Sequence, residues 1–265
     1  MADEPTPPAG RAAASPSVSA RPSQAAKRPA FYAARPGGWR DWWTLLHPPY
    51  TAWHLSYVVI GACLAPHVSL SRLVGTLLAF FCAVGLSAHA LDELHGRPLG
   101  TRISTPALVA VTVVGLAGAL VLGALGVWRV GWVLVPFIVL GPLLVLAYNL
   151  ELFGGFVHTD LGFALAWGSF PVLVAYVAQT GTLAAAPVIA AAGACALSLA
   201  QRRLSTPARF VRRRVTEVEG RATLRDGGTV PIDQGTLLAP LEGALKAMTW
   251  SVILIAAGFA VATLS

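Results

Sequence analysis

Two stretches of this chain gather residue types that do metal, acid–base or phosphate chemistry. The first, AHALDELHGRPLGTRIS over residues 88–104, holds His89, Asp92, Glu93, His95, Arg97 and Arg102. At about 100° per residue, Asp92, His89 and Glu93 share one arc of about 100° on a helix, so three candidate metal ligands face one way. Gly96 followed by Arg97-Pro98 reads as a helix stop, which puts both carboxylates in the last turns, where the helix dipole disfavours negative charge. Something cationic must offset them: Arg97 or Arg102 on a structural reading, a divalent cation on a functional one.

The second stretch, AYNLELFGGFVHTDLGFALAWGSFP, carries Tyr148, Asn149, Glu151, His158 and Asp160. Oxygen donors with an occasional His suit Mg²⁺ or Mn²⁺ better than structural Zn²⁺, which would call for thiolates. The alternative is that Thr159 or Asp160 caps the following helix and His158 is an interfacial polar residue. No nucleophile elbow, H-E-x-x-H, P-loop or Cys-x-x-Cys accompanies either stretch.

The elements that must hold these residues are hydrophobic. Of 265 residues, 55% are AVILMFWYC and only 12% are charged, about half the share of charge in a soluble domain. Seven segments reach the length of a span, at about 50–66, 70–91, 103–127, 128–148, 161–178, 182–200 and 247–264. Residues 1–40 are Pro-, Ala-, Ser- and Arg-rich, and are expected to be a disordered cytoplasmic tail. Residues 41–200 would form a six-span bundle, 201–240 a basic cytoplasmic insertion, and 241–265 the final span. Within the insertion, VTEVEGRATLRDGGTVPI alternates around Asp226-Gly227-Gly228 and reads as a β-hairpin. The fold class expected is an all-α polytopic transmembrane bundle of about seven spans with that small soluble hairpin.

The net charge of +7 looks like an invitation to nucleic acid until it is located. With the tail inside, 17 of the 19 Lys and Arg fall on the cytoplasmic side, and only Arg72 and Arg129 on the other. The charge is therefore an orientation signal, and no nucleic-acid partner is expected. The reading is a plasma-membrane protein with its N-terminus cytoplasmic and its C-terminus outside. The cluster at Arg212–Arg214 would adhere to anionic lipid headgroups or meet a protein partner whose identity is unknown. The GLAGALVLGALG run of the third span reads as close helix packing.

The residues 97–104, RPLGTRIS, together with Asp92, WGSFPVLVAYVAQTG (167–181) and LLHPPYTAWHLSYVVIGACLAP (45–66), resemble the UbiA-type membrane prenyltransferases. The resemblance covers about residues 50–200. It implies Mg²⁺ or Mn²⁺ held by Asp92, Glu93 and Asp160 against an isoprenoid diphosphate, with Asp92 and Glu93 catalytic. His89, His158 and Glu151 would complete the metal set, and Arg97, Arg102, Asn149, Arg202 and Arg203 would hold the substrate. The chain departs from the family in lacking a second Asp-rich motif, since no carboxylate lies between Asp160 and Glu217. Two functions are therefore carried forward: a divalent-metal-dependent transferase acting on an isoprenoid or lipid diphosphate, and a catalytically inactive UbiA-like lipid- or quinone-binding accessory protein.

Overall fold

A computed structural model describes residues 28–265, so most of the expected tail lies outside the described residues. From residue 28 the chain is a strap that joins the bundle, and α1 (Trp39–Leu45) follows it. Six helices are long and apolar enough to cross a membrane: α3 (Leu70–Leu94), α4 (Thr105–Val130), α5 (Trp132–Asn149), α6 (Asp160–Thr180), α7 (Ala185–Arg214) and α8 (Gln234–Leu264). The expected span at 50–66 is instead α2 (Pro48–Cys63), whose 16 residues rise only about 24 Å. Pro48-Pro49 starts it, and its last residue lies three before Pro66.

Though short, α2 occupies the middle of the bundle, with Trp53, Tyr57, Val58 and Ala62 buried. A Cβ on Gly61 would sit 2.2 Å from the Val172 carbonyl oxygen, so α2 and α6 touch backbone to backbone at that point. Trp53 Nε1 donates to Tyr57 Oη (2.7 Å), and Tyr57 donates to the Ala194 carbonyl of α7 (3.2 Å). These bonds satisfy polar atoms that would otherwise be costly in an apolar interior. The Gly-rich run of α4 behaves as the sequence suggests: a Cβ on Gly115 would fall 2.2 Å from Ser87 Oγ of α3.

Two of the long helices are not regular. α3 widens into a π-helix over Phe81–Ala88, and α6 over Leu165–Ser169, a departure that is commonly found at functional sites. Helices α7 and α8, at 30 and 31 residues, are about 45 Å long, well beyond a hydrocarbon layer of about 30 Å. Their overhanging ends meet through the buried pair Arg212–Glu242. The stretch between the two helices is residues 215–233. Its hairpin pairs β1 (Gly220–Thr223) with β2 (Thr229–Ile232) antiparallel, Gly220 opposite Ile232. Gly227 takes a positive φ of 86° in the turn, a conformation that glycine adopts without steric cost.

Candidate functional site

Both sequence clusters come to one end of the bundle, where α3 and α5 finish, α6 begins and the overhang of α7 passes. The loop after α3 is built on Glu93. Its side chain is fully buried and accepts from Leu99 N (3.0 Å), Thr101 N (2.8 Å) and Thr101 Oγ1 (2.8 Å). Arg97, at φ 52°, braces the same loop by donating to the Thr101 and Ile103 carbonyls and to Thr105 Oγ1. The Arg102 amide donates to Asp41 of α1 (3.2 Å), while its side chain is exposed. Glu93 and Arg97, expected at a metal and a substrate, thus shape the loop, because a buried carboxylate and an oversupply of turn N–H groups satisfy each other.

Asp92, one residue earlier, is half-buried, and its carboxylate makes neither a hydrogen bond nor an ion pair with any described residue. The charges that act on it come from Arg209 and Arg213 of α7, Glu93 and His158. His89 stacks on His47, with ring centroids 4.2 Å apart and planes within 9°. In the second cluster, Asn149 bonds back to the Val145 carbonyl of its own helix (2.7 Å). Glu151 is exposed and 3.9 Å from His158. Asp160 pairs with Arg202 Nε at 2.9 Å, and Arg203 is exposed. Capping of α6 falls to Thr159, whose hydroxyl accepts from Gly162 N. Among the described residues no three His, Cys, Asp or Glu side chains form a group that could hold a metal ion. Of the donors named for Mg²⁺ or Mn²⁺, Glu93 is taken up by the loop, Asp160 by Arg202, and the Nδ1 atoms of His89 and His158 by backbone carbonyls, while Glu151 stands 3.9 Å from His158 and Asp92 is left unpaired.

What the fold assembles instead is a row of cations over buried aromatic and imidazole rings. Arg202, Arg209 and Arg213 are spaced seven and then four residues apart, which places them within about 40° of one helical stripe. Arg209 is the cation missed from the sequence, and Arg213 was read only as part of the cluster Arg212–Arg214; their spacing from Arg202 was the available signal. The side chain of Arg209 makes only a long bond to Thr206 of its own helix (3.4 Å), and no described carboxylate pairs with it. Within reach of the row's charge, two polar atoms are buried without a partner, His47 Nε2 and Tyr148 Oη, on residues 8% and 6% exposed, and Gln201 Oε1 of α7 is a third such atom in the described residues. Unpaired groups of that kind are uncommon and mark a place where a ligand or water belongs.

The histidines are held in defined tautomers. His54 Nδ1 bonds the Trp167 carbonyl (2.9 Å) and His89 Nδ1 the Gly85 carbonyl (3.2 Å), both carbonyls lying inside the π segments. His158 Nδ1 bonds the Tyr148 carbonyl (2.8 Å). Each Nδ1 must donate to a carbonyl, which leaves Nε2 bearing the lone pair. The strap completes the site. Tyr32 Oη lies 2.8 Å from His47 Nδ1, Phe31 meets Tyr50 edge-on, and Arg213 Nε donates to the Pro29 carbonyl (3.3 Å). Burial, reinforced by Tyr50, lifts the Tyr32 hydroxyl well above its ordinary range and keeps it protonated. With Tyr32 as donor the His47 proton sits on Nε2, with Nδ1 as donor Nε2 carries the lone pair, and in both tautomers Nε2 is buried without a partner.

Burial first, then His89, Arg213 and Arg209, hold His47 well below the usual imidazole value. The unfolded chain would take up this proton near pH 6.5, whereas the folded chain resists it to much lower pH. The stability linked to His47 is therefore complete above about pH 6.5 and is lost as pH falls. The melting temperature of the wild type should drop between pH 7 and pH 5, and His47→Gln should flatten that slope. Equal slopes in the two proteins would remove His47 from the account.

Comparison of this chain with family models, curated proteins and solved structures finds no match.

Proposed function

We propose that this protein binds an amphiphile with a phosphate or diphosphate head at the polar end of its bundle and transfers the lipid group to an acceptor. The observation that carries this reading is the stripe Arg202–Arg209–Arg213, whose last two arginines act on Asp92 without pairing with it, close to two buried polar atoms that lack partners, His47 Nε2 and Tyr148 Oη. Phosphate oxygens supply acceptors for the Arg209 guanidinium, for the Tyr148 hydroxyl and, in the tautomer in which Tyr32 donates to Nδ1, for the His47 Nε2–H. The likeness of residues 97–104 and 167–181 to the prenyltransferase motifs supports the same class of substrate.

In such a transfer the carbon–oxygen bond to the head breaks and its electron pair leaves with the phosphate oxygen. The acceptor's nucleophilic atom bonds the freed carbon, and its proton passes to Asp92. Arg209 and Arg213 neutralise the charge that develops on the leaving group, a task the resemblance would give to a divalent ion. By the distribution of Lys and Arg, the polar end faces the cytoplasm across the plasma membrane, with the C-terminus outside.

Farnesyl diphosphate added to the purified chain in detergent should raise the melting temperature, and should do so equally in excess EDTA. Arg209→Gln should weaken binding about 10- to 100-fold, the equivalent of one charge-assisted hydrogen bond of about 1.5–3 kcal/mol. Farnesol stabilising as well as its diphosphate, or Arg209→Gln binding like the wild type, would overturn the reading.

A further inference from the structure

The opposite end of the bundle holds the two remaining cations, and they share one place. Arg72 Nη1 donates to the Gln179 carbonyl (2.7 Å) and Nη2 to the Arg129 carbonyl (3.2 Å). These are last-turn carbonyls of α6 and α4, the negative ends of two helix dipoles, so Arg72 is fixed in position. Gln179 is fixed in turn, accepting from Ser69 N (2.8 Å) and donating to the Ser69 carbonyl. The Arg129 guanidinium lies over the Trp128 ring, 5.8 Å from its centroid. No aspartate or glutamate accompanies them: the three ion pairs among the described residues involve other residues, and the carboxylates of the described spans and loops belong to the polar end.

Between these two arginines begins a cavity of about 470 Å³ enclosed by α3, α4, α5 and α6, within the size range of small-ligand sites. It runs past Leu134, Phe137 and Ala83 to Phe170 and Trp167, and none of the Tyr, His or Asp residues of the polar cluster lines it. Val74, Leu78, Leu120 and Leu125 on its walls are exposed apolar side chains, so it opens toward lipid. Two cations without a carboxylate at the mouth of an apolar, lipid-facing cavity match an amphiphile with an anionic head and an apolar chain.

We propose that this groove is a binding site for one anionic phospholipid, its phosphate bridging Arg72 and Arg129 and an acyl chain lying along the groove toward Trp167. Arg129 provides the donors that turn with the headgroup, and Arg72, anchored on two carbonyls, provides the fixed positive charge. A phosphate there replaces the counter-ion that the protein itself does not supply at that depth. The site is separate from the headgroup site at the polar end, and its test uses different residues and a different ligand.

The experiment is native mass spectrometry of the full chain in detergent, supplied with equal amounts of phosphatidylglycerol and phosphatidylcholine. One phosphatidylglycerol should be retained, about tenfold in preference to phosphatidylcholine, and Arg129→Gln should reduce that preference to about threefold or less. Gly75→Leu supplies the second arm. Gly75 lines the groove, and a Cβ placed there meets nothing within 4 Å, so the longer side chain enters the groove at little cost to folding and should displace both lipids. Equal retention of the two lipids by the wild type, unchanged retention in both variants, or competition by glycerol 3-phosphate as strong as by the lipid would overturn the proposal.

Discussion

Gly61→Ala should lower the melting temperature of the purified protein by about 6–12 °C, and Gly61→Val should leave little folded protein to purify. The added Cβ lands 2.2 Å from the Val172 carbonyl oxygen, 2.8 Å from its Cα and 2.9 Å from its carbonyl carbon. All three are backbone atoms of α6, so no rotamer change relieves the clash, and two central helices must separate. Ordinary overpacking costs about 1–3 kcal/mol; a clash between backbones belongs at or above the top of that range, and about 3 kcal/mol corresponds to the quoted shift for a chain of this size. Val58 and Ala62 of α2 and Val172 of α6 are buried, so separation would also open the apolar core. Fluorescence-detected size exclusion over a temperature series measures the effect, with Gly75→Ala as the neutral control. A Gly61→Ala protein that melts like the wild type would show that α2 and α6 do not cross there.

Adjacent carboxylates should give opposite phenotypes. Glu93→Ala removes the acceptor for two amide groups and a hydroxyl in a buried loop. Each unsatisfied group costs about 1–3 kcal/mol, and the three together about 3–5 kcal/mol because the loop relaxes in part. Glu93→Gln should recover only a fraction, since its amide NH₂ would face one of the same donors. Asp92→Asn, in contrast, disturbs no described hydrogen bond and should melt within about 0.5 kcal/mol of the wild type while losing turnover of the lipid diphosphate. Melting curves and a turnover assay on the two variants separate the residues: an unchanged melting temperature for Glu93→Ala would return that carboxylate to the candidate ligands.

Much of this arrangement could be read in the chain. The placement of 17 of 19 cations against Arg72 and Arg129 anticipated that both polar stretches would meet at one end, because loop charge and topology are coupled. The hairpin around Asp226-Gly227-Gly228 was legible from period-two alternation. What escaped depends on distance in the fold. A helical wheel puts Glu93 beside Asp92, but cannot show that the loop six to eight residues later turns its amides onto one of them. The stripe Arg202–Arg209–Arg213 was visible as spacing, yet it read as a topological signal until α7 was found to run on past the bundle. Tyr32 and His47 lay in a strap and a helix start that hydropathy treats as unremarkable. The segment expected at 50–66 was found as α2, and what the sequence left open was its length, since Pro48-Pro49 and Pro66 bound it to 16 residues of helix.

The π-helical turns of α3 and α6 bear on how this sequence can change. A π turn holds one residue more than an α turn, so each of these helices carries a residue that a regular helix would not need. Deleting one residue between Phe81 and Ala88 would let α3 continue as an unbroken α-helix, with no loss of apolar length. Because the wide turn takes up that residue with little change of phase, the shortened helix would still turn Ser87 toward α4 and His89 toward His47. A single-residue deletion there should therefore be better tolerated than one in the middle of α4, which has no wide turn to absorb it and would rotate one half of the helix by about 100° against the other.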